Sequence, residues 1–250
     1  MGKTSKESRL NIPGKIGWIT MEAPGTIALL YCMSTIPTKG ITSLPPENLI
    51  LGGLFAVHYL NRAIISPIIS PSIAPMSPLV WLFALFFQLM NGLSIGGWLA
   101  GYGTSTYKQL KEDGSFKSNT QFQVGVLIWT LGLLGNIWHD DELREIRRVA
   151  AREQKQKEDE GRNPKGVEKI YKIPVNGLFR WILFPHYLCE WIEWGGFWLA
   201  AGSGCTPART FLLNEISTML PRAIHGKEWY EKKFGKEKVA GRKAVIPGIL

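Results

Sequence analysis

Apolar residues in this chain gather into long runs; they do not recur at the three-to-four-residue interval of a helix that hides one face from water. Residues 16–36 carry one acid, Glu22, and residues 49–69 carry only His58 and Arg62 against an otherwise uncharged background. Residues 79–102 hold no charge over a length exceeding the ~20 residues that cross a bilayer. Residues 122–138 are uncharged as well. A fifth run, 178–201, is interrupted by Arg180, Pro185, Glu190 and Glu193, and a sixth, 206–221, is short and weakly apolar. The pattern predicts an all-α protein, a polytopic membrane helix bundle of about six transmembrane helices. The alternative is a large water-soluble helical protein, whose buried helices seldom reach bilayer length without a charge on some face.

Lys and Arg concentrate in the N-terminal arm, in the connection after residue 139 and in the tail from Arg222 onward. Six crossings put all three on one side, which the positive-inside rule makes cytosolic. Residues 1–15 lack the apolar core and cleavage site of a secretory signal peptide, so insertion rests on the later helices. Residues 139–175 read as a cytosolic loop within one domain, 1–250, since no repeat or low-complexity tract divides the chain. Acids and bases alternate over 152–169, with Gly161 and Pro164, as in a solvated helix end followed by a loop. That mixture disfavours a nucleic-acid partner despite the net charge of +9. Protein partners are not indicated.

Cys32, Cys189 and Cys205 have no metal-type spacing and read as small packing residues. Gly96-Gly97 and Gly101-Tyr102-Gly103 read as helix-packing contacts, because small residues let backbones approach. No Rossmann fingerprint, phosphate-binding loop, serine elbow or zinc-protease signature is present, so a nucleotide would be held by helices and loops.

An ionisable side chain at mid-membrane costs roughly 2.5 to 3.5 kcal/mol, which makes each one retained there a functional candidate. Glu22 either reaches the interface or stays buried and protonated, as a hydrogen-bond donor. His58, Asn61 and Arg62 occupy adjoining helix faces and Tyr59 another; a membrane tyrosine is an interface anchor or a donor to a substrate carbonyl. Asn136, Asp140, Arg144 and Arg147 recur at helical spacing as a polar stripe. His186, Glu190 and Glu193 share a face. Four histidines and no second cluster make hydrogen bonding to a polar ligand a simpler reading than a metal centre.

These residues resemble, from Trp18 onward, the steroid 5α-reductase family, the 3-oxo-5α-steroid 4-dehydrogenases. The landmarks are the Trp18 to Pro24 segment with its glutamate, Val57-His58-Tyr59, Asn91-Gly92, Gly135-Asn136-Ile137 with Asp140 and the helix to Arg147, and Tyr171-Lys172-Ile173-Pro174. They continue through Gly177-Leu178-Phe179, Glu190-Trp191-Ile192-Glu193-Trp194, Arg222-Ala223, Tyr230 and Arg242-Lys243-Ala244-Val245-Ile246-Pro247. The resemblance implies a seven-helix fold of which this sequence carries counterparts of the last six. It also implies a multi-pass protein of the endoplasmic reticulum membrane. The activity implied is hydride transfer from NADPH to the C=C bond of a 3-oxo-Δ4 steroid or similar lipid enone, with Glu22 and Tyr59 polarising the carbonyl. Resemblance assigns cofactor binding to Asn136, Asp140, Arg147, Tyr171, His186, Glu190, Arg222 and Tyr230, and substrate contact to Trp18 and Trp194. Three positions depart from the family: Ser66-Pro67-Ile68-Ile69-Ser70-Pro71 replaces an arginine-bearing loop, His186 stands for an asparagine, and His225-Gly226-Lys227-Glu228 thins a histidine-rich stretch. The rivals are an enoyl-thioester or polyprenol-type reductase of the same superfamily and a non-catalytic sterol-binding membrane protein.

Overall fold

The computed structural model describes residues 8–37, 44–102, 119–161, 171–239 and 241–249. Among them there are helices and two isolated bridges but no strand. The helices are α1 (Gly14–Thr35), α2 (Pro46–Ile69), α3 (Pro78–Gly97), α4 (Asn119–Asp159), α5 (Pro185–Ala201), α6 (Thr206–Phe234) and the short α7 (Lys236–Val239). Five of the six apolar runs fall mainly on α1, α2, α3, α4 and α6; of the run 178–201 only Pro185–Ala201 is α5, its start being the turn Gly177–Arg180 and a non-helical lead-in. Two spans, Pro46–Ile69 and Pro78–Gly101, are long and apolar enough to cross a bilayer. The connection expected over 139–175 is helix in its first part, because α4 continues to Asp159; Pro164 and the rest of 162–170 lie outside the described residues, as does Gly103.

Helix α3, one of these two spans, has its apolar side chains facing outward. Leu79, Leu82, Phe83, Phe86, Met90 and Leu93 are exposed, whereas Gln88, Asn91, Gly92, Ile95 and Gly96 are buried. Amides and glycines inside with leucine and phenylalanine outside invert the water-soluble arrangement, and hydrocarbon is the solvent that favours the inversion. The helix starts where Ser77 caps it, its hydroxyl accepting the Leu79 amide, with Pro78 in the first turn.

The described chain divides into two compact units, 1–132 with 191–216, and 133–190 with 217–250. In the first, α1 and α3 pack with their backbones nearly touching. A Cβ on Gly92 would meet the Gly25 carbonyl oxygen at 2.0 Å, and one on Gly96 would meet the Leu29 backbone at 2.8 Å. Gly96 is thus the packing contact its sequence context predicts. Ile12 and Met76 tie the lead-in of α1 to that of α3 by reciprocal backbone bonds of 2.9 and 3.1 Å. α2 changes from α-helical to π-helical over Leu60–Ile65, just before Pro67, whose ring cannot donate to the carbonyl four residues back. α4 and α5 also meet at glycine, since a Cβ on Gly196 would lie 2.4 Å from the Trp129 amide nitrogen.

In the second unit the chain ahead of α5 pairs with the C-terminal segment. Leu183 and Phe184 donate to the carbonyls of Lys243 and Ala244, both at 2.9 Å, and Lys243 donates back to Trp181 at 2.8 Å. Ala244 and Val245 are buried by this pairing. Arg242, beside them, reaches the Pro174 carbonyl at 2.8 Å and so anchors the segment after Tyr171.

Candidate active site

Glu22 and Tyr59 both lie inside the first unit, 6% and 2% exposed. Glu22 comes from the middle of α1, two residues before Pro24, and Tyr59 from the last α-helical turn of α2. Two amides one helical turn apart on α3 receive them. Gln88 donates its Nε2 hydrogen to the Glu22 carboxylate, and Asn91 donates to the Tyr59 hydroxyl at 3.2 Å. Glu22 and Tyr59 thus bond to amides three residues apart on one helix. Because the phenol oxygen accepts from Asn91, its own O–H remains a donor. A cleft of about 340 Å³ opens beside Tyr59 with Ala23, Thr26, Ala56 and Ala63 in its walls. Ile27 and Leu60, exposed apolar residues, and Ile64 complete its lining.

Trp194 is fully buried near Tyr59, its ring centroid 5.9 Å from Phe55, 5.0 Å from His58 and 6.4 Å from Tyr59. Trp18 is half-buried at the α1 end of the same unit; its indole donates to the Arg62 carbonyl at 3.2 Å, and the Arg62 guanidinium lies over its ring. Sequence reasoning missed Gln88. The signal for it was an amide in an uncharged run, where desolvation is costly even without a charge. It also missed that His58 joins Glu193, Nδ1 to Oε1 at 2.7 Å, with both side chains buried.

The second unit gathers the other predicted residues. Asn136, 4% exposed, donates to the His186 carbonyl at 2.9 Å and to Glu190 at 3.3 Å. His186 is buried, its ring 4.5 Å from that of Tyr187. Asp140, partly buried, and Arg147, exposed, continue the stripe along α4. Arg144, between them, is buried and pairs with Asp141 at 3.2 Å. Tyr230 lies outside the apolar part of α6, and burial raises its phenol pKa, while the charges of Arg147 and Arg242 pull it back. Arg242 is therefore a further basic neighbour of Tyr230 that the sequence-based assignment omitted. Tyr171, exposed, packs edge-on against Trp229 at 5.1 Å beneath the Lys233 ammonium. Arg222 is exposed on α6. A phenol within the field of two guanidinium charges, with further cations at the surface, suits the phosphates of a dinucleotide.

A family described as 3-oxo-5-alpha-steroid 4-dehydrogenase matches residues 74–250. An uncharacterized protein of Schizosaccharomyces pombe is 36% identical, the alignment covering 100% of this chain and 90% of the relative. The steroid 5-alpha-reductase of Solanum lycopersicum is 30% identical, over 98% of this chain and 84% of its own length. The 3-oxo-5-alpha-steroid 4-dehydrogenase 1 of Rattus norvegicus is 28% identical, with coverages of 96% and 82%.

Proposed function

Because the chain belongs to the 3-oxo-5-alpha-steroid 4-dehydrogenase family, we propose that it reduces the C=C bond of a 3-oxo-Δ4 steroid or similar lipid enone using NADPH. As a member of that family it is an oxidoreductase acting on CH–CH groups. The observation that carries the finer reading is the meeting of a buried acid and a buried phenol on two α3 amides beside an apolar cleft.

NADPH, when bound, supplies a hydride to the β-carbon of the enone. Negative charge then builds on the carbonyl oxygen at the far end of the conjugated system, and a proton taken up from solvent at the α-carbon completes the saturated ketone. Tyr59 donates its O–H to that oxygen, and Glu22, in its protonated form, donates a second hydrogen bond. Gln88 and Asn91 hold the two donors by their other lone pairs, so neither has to reorient as charge develops. Trp18 and Trp194 exclude water from the substrate, and the alanine walls of the cleft admit a flat apolar ring system. Asn136, Asp140, His186 and Glu190 hold the cofactor by hydrogen bonds. Arg147, Arg222, Tyr171 and Tyr230 serve its phosphates and adenosine, the arginines favouring NADPH over NADH. The helices cross the endoplasmic reticulum membrane six times with the Lys- and Arg-rich connections in the cytosol.

Incubating membranes that contain the protein with NADPH and a panel of enones, followed by mass spectrometry, tests the reaction. A product two mass units heavier, formed only with NADPH, is expected; no reduced product from any 3-oxo-Δ4 steroid or lipid enone overturns it. Asn136→Ala tests the cofactor residues, since it leaves buried partners unsatisfied at about 1–3 kcal/mol. NADPH affinity measured by titration is expected to fall by roughly 5- to 150-fold on that basis. An unchanged affinity would remove the α4 stripe from the cofactor site.

A further inference from the structure

The buried pair His58–Glu193 has no part in the chemistry just described, yet it sits directly behind the phenol. His58 precedes Tyr59 on α2, and Glu193 precedes Trp194 on α5. The imidazole is 3% exposed and the carboxylate 0%, and they meet at 2.7 Å. The His58 ring packs edge-on against both Tyr59, at 4.9 Å, and Trp194, at 5.0 Å. Two dipeptides from helices 135 residues apart therefore interlock, polar partner to polar partner and aromatic to aromatic.

From this geometry we infer that the His58–Glu193 pair is a positioning device that fixes the rotation of α2, and with it the aim of the Tyr59 hydroxyl. The need for one is local. Tyr59 is the last α-helical residue before the π-helical stretch Leu60–Ile65, where the backbone hydrogen-bond register changes. With side chains a helix is about 5–6 Å in radius, so a turn of 10° about its axis moves a side-chain end by roughly 1 Å. A displacement of that size at a reacting group can cost about 100-fold in rate. A buried imidazole–carboxylate pair is a poor source of stability, because its desolvation offsets its attraction, but it is strongly directional. The bond runs from Nδ1, so Nδ1 carries the proton that the Glu193 carboxylate accepts.

The inference rests on Tyr59 being the carbonyl donor, and its test separates the two ideas. The side-chain nitrogen of asparagine falls where histidine has Nδ1, whereas that of glutamine falls near Nε2. His58→Asn keeps a donor for Glu193; His58→Gln is as polar but misplaces it. The expected result is kcat for enone reduction within about threefold of the parent for His58→Asn and lower by at least tenfold for His58→Gln, with NADPH affinity unchanged in both. The affinity of each variant for a saturated 3-ketone, which cannot be reduced, should fall in the same order when titrated without cofactor. Glu193→Leu should match His58→Gln, and combining the two should cost no more than either alone, because both break one bond. Equal kcat in the two amide variants, or losses that multiply in the double variant, would overturn the pair's role while leaving the enone reaction standing. A parent protein that reduces no enone and binds no ketone would sink the functional reading itself.

Discussion

Tyr59→Phe is expected to lower kcat for enone reduction by about 100-fold or more, the usual loss when one preorganised oxyanion donor is removed. NADPH affinity should stay within about twofold, since none of the residues assigned to the cofactor bonds to this phenol. The ring is retained, so its packing against Phe55 at 4.6 Å and against Trp194 survives, and Asn91 loses only an acceptor. Glu22→Gln should behave in parallel. Its amide still meets Gln88 and can donate, but it is a far weaker acid than a carboxyl, so its hydrogen bond strengthens less as charge grows on the substrate oxygen. Steady-state rates with a saturating 3-oxo-Δ4 steroid, set beside NADPH titrations, read both effects. Full activity in either variant would take that residue out of the chemistry.

The second large effect is expected at Gly92. A side chain there has nowhere to go, because its Cβ would come to 2.0 Å from the Gly25 carbonyl oxygen and 2.8 Å from its carbon, atoms of a backbone that cannot swing aside. Gly92→Val should therefore push α1 away from α3, at an overpacking cost of at least about 1–3 kcal/mol. That separation pulls Glu22 from Gln88, so activity and thermal stability should fall together. Gly53, where a Cβ meets nothing within 4 Å, is the control. Gly53→Ala should leave the melting temperature in detergent unchanged or raised, whereas Gly92→Val should lower it by several degrees. A Gly92→Val protein as stable as the parent would mean the two helices do not pack this tightly.

The helical runs could be read from sequence because long uncharged stretches favour helix, and among the described residues the chain is helical without a strand, with two spans long and apolar enough to cross a bilayer. Glu22 and Tyr59 stood out for a related reason: polar groups amid apolar neighbours carry a free-energy cost and invite a role. Gln88 was missed because an amide leaves a run formally uncharged, so a search for charges passes over it. The join of His58 to Glu193 was not readable at all. No local spacing links residues 135 positions apart, and either side chain alone passes for an ordinary satisfied core residue. The division into two units left no mark in composition, since α4, α5 and α6 each give residues to both. The continuation of α4 to Asp159 was obscured by its mixed charges, although neighbouring pairs such as Arg148–Glu145, at 3.3 Å, support a solvated helix there.

His139, one residue beyond the apolar stretch of α4, has a consequence for acid conditions. Its Nε2 accepts from the Leu178 amide at 3.3 Å, so the ring's single hydrogen sits on Nδ1, bonded to the Gly135 carbonyl at 2.6 Å. Burial lowers its pKa, against the Gly135 carbonyl and the charges of Asp140 and Glu142, which favour protonation. The stabilisation is then whole above the ordinary histidine value near 6.5 and drains away as pH drops below it, because a second ring hydrogen would confront the Leu178 N–H. The turn Gly177–Arg180 is thereby latched only while that imidazole stays neutral. Acidification should unfasten it ahead of the helices, visible as a lower protection of the Leu178 amide against exchange, relative to its intrinsic rate at that pH, than of helix amides.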